Sequence, residues 1–190
     1  RLVGSEMCIR DRSKKLAEGI DALVLDVKVG KGAFMKDLEQ ARTLASALVR
    51  VGTRAGKRVV ALLTRMEAPL GRTIGNALET REAIDVLFER APADMTECTY
   101  ALCAEMLLLA DAASDRDHAL RRISEVIRSG KAAQVMENMI AAQGGNPKVV
   151  RDPSLMAAAP HVVPVLAPRS GFVCEMDALA TVSYTHLRAH

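Results

Sequence analysis

The sequence predicts an α/β fold built on a βαβ unit, with a parallel or mixed sheet and flanking helices. Two short apolar runs, 21–25 and 58–63, have the composition of strands buried on both faces. Between them, apolar residues recur at helical spacing from Leu38 to Val49, behind Asp37 as a capping residue. Because a helix of about four turns connects the two runs, the strands should be parallel.

The loop 26–34 follows the first predicted strand and leads into the helix. Ligands of open α/β sheets usually bind at this carboxyl edge of the strands. Gly30 and Gly32 allow a tight turn, and Lys28 and Lys31 add positive charge that would suit an anionic ligand. The same pattern also fits a simple turn between strand and helix.

The second strand is followed by another loop, 64–76, and by a predicted helix over 77–89. Glu82 lies in line with apolar residues one turn before and one turn after it. A buried carboxylate needs a cation or several hydrogen-bond donors. Glu82 is therefore either a boundary residue that reaches solvent or pairs with Arg81 or Arg72, or a ligand of a structural ion that loop carbonyls complete.

Three more helices are predicted, over 96–110, 114–130 and 131–143, with Ser114 as the cap of the second. The third has Val135 and Met139 among the residues expected to face inward. The aliphatic and methionine side chains of these helices are expected to form part of the core.

Both ends of the chain look foreign to the rest. Residues 1–12 and 182–190 resemble translated sequencing-adaptor ends, so the native part is expected to be an internal piece of a longer protein. Residues 13–19 have the pattern of a last helical turn closed by Gly19, where two lysines would complement the helix dipole. Near the other end, 171–176 has the pattern of a first strand.

The composition excludes several classes of protein. A hydrophobic content of 49% is ample for a core, while the net charge of +3 forms no basic stripe, which argues against nucleic-acid binding. No apolar run is long enough to span a membrane. The four cysteines lack C-x-x-C spacing, which indicates reduced thiols in a cytoplasmic protein. There is no Ser-His-Asp spacing and no zinc signature.

Four blocks carry a resemblance to a known family: SKKLAEGIDALVLDVKVGKGAFM, ALLTRM, PLGRTIGNALETREAIDVL and AEMLLLA. In order and spacing they resemble the middle of the bacterial thymidine and pyrimidine-nucleoside phosphorylases. The similarity runs from about Ser13 to Ala180 and covers less than half of such an enzyme. It implies a piece of the large α/β domain of that family, followed by the start of a β-rich C-terminal module.

The family reversibly cleaves a pyrimidine (deoxy)nucleoside with phosphate as co-substrate, giving the free base and a (deoxy)ribose 1-phosphate. The resemblance implies that Lys14 contacts the base and that Phe34 packs on it. It also implies a structural potassium ion bound by Leu70, Thr73 and Glu82, the first two through carbonyls. Thr73 departs from the small residue usual there, which a carbonyl ligand tolerates.

No organic cofactor is expected, and the full-length protein should be a homodimer. The phosphate loop, the catalytic histidine and other base-binding residues of the family lie upstream of Ser13, so the chain alone should be inactive. Asp26 and Lys28 are expected to form a structural pair. The resemblance implies that phosphate is held mainly by the upstream loop.

The resulting domain prediction divides the chain into six parts. They are a non-native end (1–12), the end of a small helical domain (13–19), a partial α/β domain (20–145), a proline-rich connection (146–169), the start of a β-rich C-terminal domain (170–181) and a second non-native end (182–190).

The sequence leaves two alternatives for the function. One is another glycosyltransferase of the same architecture, such as an AMP phosphorylase or an anthranilate phosphoribosyltransferase. The other is a non-catalytic α/β module whose loops hold an anion without converting it.

Overall fold

A parallel pair of strands and six α-helices make up the part of the chain that the computed structural model describes, residues 19–187. The elements are β1 (Ala22–Val29), α1 (Leu38–Arg54), β2 (Arg58–Arg65), α2 (Asn76–Val86), α3 (Ala93–Leu109), α4 (Arg116–Arg128), α5 (Lys131–Ala142) and α6 (Ala178–Leu187). Two 3₁₀ helices, Pro147–Val150 and Pro153–Leu155, follow α5. The mixed α/β class predicted from the sequence is confirmed.

The strands β1 and β2 pair in parallel, as the βαβ pattern predicts. Their register runs from Ala22 opposite Arg58 to Val29 opposite Arg65. Residues 26–29, which the sequence pattern assigned to a loop, therefore belong to β1. The strand continues through these residues because β2 also extends two residues beyond its predicted end. It therefore supplies hydrogen-bonding partners for 26–29.

Helix α1 covers one face of the strand pair. The Asp37 carboxylate caps it by accepting the backbone amides of Glu39 and Gln40 at 3.0 and 3.1 Å. The first core cluster consists of Val27, Ala41 and Ala45, with partly buried Leu25, Val29, Met35, Leu44, Leu48, Ala61 and Leu63 around it. Within β1 only Val27 is fully buried, so the expectation of a strand buried on both faces is wrong.

Helix α1 packs closely against β2 at Gly52. A Cβ atom at this position would lie 2.3 Å from Cγ2 of Val59. The absence of a side chain lets the last turns of α1 lie directly on the second strand.

A second core cluster joins α2, α5 and the first 3₁₀ helix. Ile84, Ala133 and Val150 are fully buried and in contact there. The proline-rich segment thus begins as a packed part of the domain at Val150, and Arg151 binds Glu137 of α5 at 2.5 Å.

Two details of the later helices correct the sequence-based prediction. Asp115, rather than Ser114, caps α4, because its Oδ1 accepts the amide of His118 at 2.8 Å. That hydrogen bond lowers the pKa of Asp115. On α5, Val135 and Met139 are 66% and 47% exposed, so the expectation that they face inward is wrong. The face that packs contains Ala133, which shares a core cluster with Ile84 and Val150.

The segment 171–177 carries no strand, although 171–176 has a strand-like sequence. Phe172 is 97% exposed and Val173 is 79% exposed. A strand needs a hydrogen-bonding partner, and within residues 19–187 only β1 and β2 pair. Helix α6 follows, overlaps the predicted non-native end 182–190, and begins at Ala178, which is 2% exposed.

Candidate functional site

The loop between β1 and α1, residues 30–37, presents Phe34 to solvent; it is called the Phe34 loop below. Gly30 has a φ of +128°, and its amide donates to the carbonyl of Met35 at 3.0 Å. The amide of Ala33 donates to Gly30 O at 3.0 Å, and the Ala33 side chain is buried at 5% exposure. Phe34, the next residue, is 62% exposed. A fixed backbone therefore holds an aromatic ring outward at the carboxyl edge of the sheet.

The loop after β2, residues 66–75, is fastened to the Phe34 loop by main-chain hydrogen bonds. The amide of Met66 donates to Val29 O at 2.7 Å, and the amide of Gly32 donates to Met66 O at 2.8 Å. These bonds continue the β1–β2 contact beyond the last strand residues. The next residue, Glu67, accepts the amide of Lys31 through Oε2 at 3.2 Å.

The lysines of this region are engaged by carboxylates. Lys28 binds Asp26 at 2.5 Å and lies 3.3 Å from the Thr64 hydroxyl, which also donates to Asp26. This confirms the predicted pairing of Asp26 with Lys28. Lys31 forms an ion pair with Glu175, and that hydrogen bond raises the pKa of the Lys31 ammonium. Neither lysine is presented as a free anion ligand.

Glu82 of α2 is buried, with 6% of the residue exposed, and its carboxylate binds the loop 66–75. Oε1 accepts the amide of Arg72 at 2.9 Å, while Oε2 accepts the amide and the hydroxyl of Thr73 at 3.3 and 2.8 Å. Gly71 lies against the same group, since a Cβ there would be 2.4 Å from Oε2. The buried charge is thus stabilised by donors from the loop, one of the two outcomes that a buried carboxylate requires.

The predicted cation ligands lie on this loop and on Glu82. The carboxylate offers about four acceptor positions, of which the loop donors occupy three. The carbonyl oxygens of Leu70 and Thr73 accept no hydrogen bond from residues 19–187. Carbonyl and carboxylate oxygens with spare lone pairs are ligands that a hard cation takes, so the donor types of this set are chemically suited to one. In the same part of the chain, no three His, Cys, Asp or Glu side chains are grouped to hold a metal ion.

The similarity of the chain to known proteins identifies its family. A family model described as "Glycosyl transferase family, a/b domain" matches residues 9–133. The chain belongs to this glycosyl transferase family. The βαβ unit, the Phe34 loop and the Glu82 region all lie within the matched residues.

Within this glycosyl transferase family, the chain is similar to curated pyrimidine-nucleoside phosphorylases. It is 43% identical over 173 residues to the protein of that name from Geobacillus stearothermophilus, covering 90% of this chain and 40% of the relative. It is 44% identical over 164 residues to the one from Staphylococcus aureus strain USA300, covering 86% and 38%. The predicted family resemblance is confirmed, and the chain spans about two fifths of the length of these relatives.

The structure places four of the five predicted site residues of this family member. Phe34 lies on the Phe34 loop, and Leu70 and Thr73 lie on the loop 66–75. The Glu82 carboxylate binds this second loop. Lys14 lies outside the described residues. Glu67 was not among the predicted site residues. Its position two residues beyond the end of β2 is the feature that could have suggested a place at the sheet edge. No helix within 19–187 is long and apolar enough to cross a membrane.

Proposed function

We propose that this chain is part of a pyrimidine-nucleoside phosphorylase, which converts thymidine or uridine and phosphate to the free base and a pentose 1-phosphate. The observation that carries the proposal is the similarity to relatives of that name over about nine tenths of the chain. The exposed Phe34 at the carboxyl edge of the sheet supports it, because an aromatic ring at that edge can stack on a planar base.

In the proposed reaction, a phosphate oxygen forms a bond to the anomeric carbon of the sugar as the glycosidic bond breaks. The bonding electrons leave with the base, so negative charge develops on its ring and carbonyl oxygens. A fixed ammonium at Lys14 stabilises that charge, and Phe34 packs on the ring. A charge-assisted hydrogen bond contributes about 1.5–3 kcal/mol, or roughly one to two powers of ten in rate.

Leu70, Thr73 and Glu82 would hold a potassium ion through two carbonyls and one carboxylate. The ion would supply fixed positive charge that stabilises the loop 66–75 against Glu82. The spare acceptor positions on these three residues support the assignment. Its test is the melting temperature of the full-length protein in KCl and in choline chloride at equal ionic strength. At a concentration 100 times the Kd, binding should stabilise by about 2.7 kcal/mol, and Glu82→Ala should abolish the difference. Equal melting temperatures in the two salts would remove the assignment.

The activity is tested by phosphorolysis assays on the full-length protein that contains this segment, with thymidine and with uridine. Lys14→Gln should lower kcat/KM by about tenfold or more, because the charge-assisted hydrogen bond is lost. Lys148→Gln is the matched control, since Lys148 is an exposed lysine of the first 3₁₀ helix. Absence of phosphorolysis by the unmodified full-length protein would refute the proposed function and favour a non-catalytic module.

The 190-residue chain itself should show no phosphorolysis above background. We also propose that the full-length enzyme is a cytoplasmic homodimer. The family resemblance supports the dimer, and Cys98, Cys103 and Cys174, which are free thiols, support a reducing compartment.

A further inference from the structure

Glu67 occupies the junction between the two loops that carry the proposed site. Its Oε2 accepts the Lys31 amide at 3.2 Å, three residues before Phe34. On the other side, Glu67 is three residues before Leu70, at the start of the segment that Glu82 binds. Glu67 thus links the loop 66–75 to the Phe34 loop through a side-chain hydrogen bond.

Residues 66 and 67 lie so close to Gly30 and Gly32 that they confine the Phe34 loop. A Cβ atom on Gly30 would lie 2.9 Å from the Glu67 amide nitrogen and 2.9 Å from its Oε1. One on Gly32 would lie 3.1 Å from the carbonyl oxygen of Met66. Two glycines therefore permit an approach that any larger residue would prevent.

We propose that Glu67 is a positioning residue that holds the Phe34 loop in the conformation in which it receives the pyrimidine base. The inference rests on the proposed function for its link to the base. Its structural content, that the Glu67 carboxylate holds the Lys31 amide and lies against Gly30, stands on the contacts alone. Because the same loop leads to Glu82, Glu67 also connects the base-facing loop with the proposed cation ligands.

The conservative variant separates positioning from general stability. Glu67→Gln keeps an oxygen that accepts the Lys31 amide, whereas Glu67→Ala removes the acceptor. Glu125→Ala is the matched control, because Glu125 is an exposed glutamate of α4 whose side chain binds no other residue among 19–187.

The first measurement is amide hydrogen exchange on the 190-residue chain. Glu67→Ala should increase exchange of the Lys31 amide by about fivefold, as expected for loss of one hydrogen bond. Exchange within β1 should stay unchanged, and Glu67→Gln and Glu125→Ala should match the unmodified chain. Unchanged exchange at Lys31 in Glu67→Ala, or an equal increase throughout β1, would overturn the inference.

The second measurement is steady-state kinetics of the full-length enzyme. Glu67→Ala should raise KM for the nucleoside about fivefold, because the loop spends less time in the receiving conformation. KM for phosphate and kcat should stay within about twofold, with Glu67→Gln near the unmodified enzyme. An equal rise in both KM values, or failure of Gln to restore the nucleoside KM, would overturn the positioning role. If the unmodified enzyme shows no phosphorolysis, the proposed function fails, and the exchange data alone decide whether Glu67 fixes the loop.

Discussion

Removal of the Glu82 carboxylate should destabilise the domain strongly. The side chain is 6% exposed and accepts three hydrogen bonds, from the amides of Arg72 and Thr73 and from the Thr73 hydroxyl. Hydrogen bonds to a charged group are worth about 1.5–3 kcal/mol each. Because the loop donors can regain water when the acceptor is absent, about 1 kcal/mol for each bond is a suitable net value. Glu82→Ala should therefore lower the free energy of unfolding by about 3 kcal/mol.

The assay is urea unfolding of the 190-residue chain followed by far-ultraviolet circular dichroism, in choline chloride so that alkali cations are absent. In a thermal scan the same change corresponds to a drop of about 6–12 °C in Tm. The free energy of unfolding of Glu82→Gln should lie between those of the unmodified chain and Glu82→Ala. The Gln amide retains one acceptor oxygen but places an N–H group against the remaining loop donors.

The matched control is Glu97→Ala on α3, where an exposed glutamate makes no side-chain contact with another described residue. It should change the stability by less than about 0.5 kcal/mol. A Glu82→Ala variant as stable as this control would show that the loop donors do not depend on the buried carboxylate. The account of Glu82 given above would then be refuted.

Two further predictions concern packing and thiol chemistry. Gly52→Ala should lower the free energy of unfolding by about 1–2 kcal/mol in urea unfolding, because the added methyl overlaps Cγ2 of Val59. In a Val59→Ala background most of that loss should disappear. A Gly52→Ala variant more stable than the unmodified chain would contradict the close approach. Burial raises the pKa of the Cys103 thiol, whereas Cys174 is exposed. Iodoacetamide at pH 8 should therefore alkylate Cys174 about tenfold faster, measured by peptide mass mapping, and equal rates would contradict the burial.

Local sequence patterns predicted the central βαβ unit well. The apolar runs at 21–25 and 58–63 became paired strands, and Asp37 capped the helix between them. These features depend on residues close together in the chain, so their physical cause is visible in the sequence.

Features that depend on distant residues were less predictable. The pattern at Glu82 implied a cation or several donors, but only the structure shows that Arg72 and Thr73 provide the donors. The hydrogen bond between Glu67 and the Lys31 amide joins residues 36 apart in the chain, so no local pattern predicts it. The strand-like sequence at 171–176 failed for a related reason, since strand propensity yields a strand only where a partner is present.

The parallel pair of β1 and β2 has a consequence for the behaviour of the chain in solution. Apart from a single bridge between Val29 and Met35, each strand within residues 19–187 pairs along one side only, so most backbone amides and carbonyls of the opposite side form an open edge. An open edge is a template for another strand, and this two-stranded sheet depends on its packing against α1 for stability. The isolated chain therefore carries two sites where strand addition would complete the sheet, whether the added strand is its own neighbour in a longer protein or belongs to another molecule.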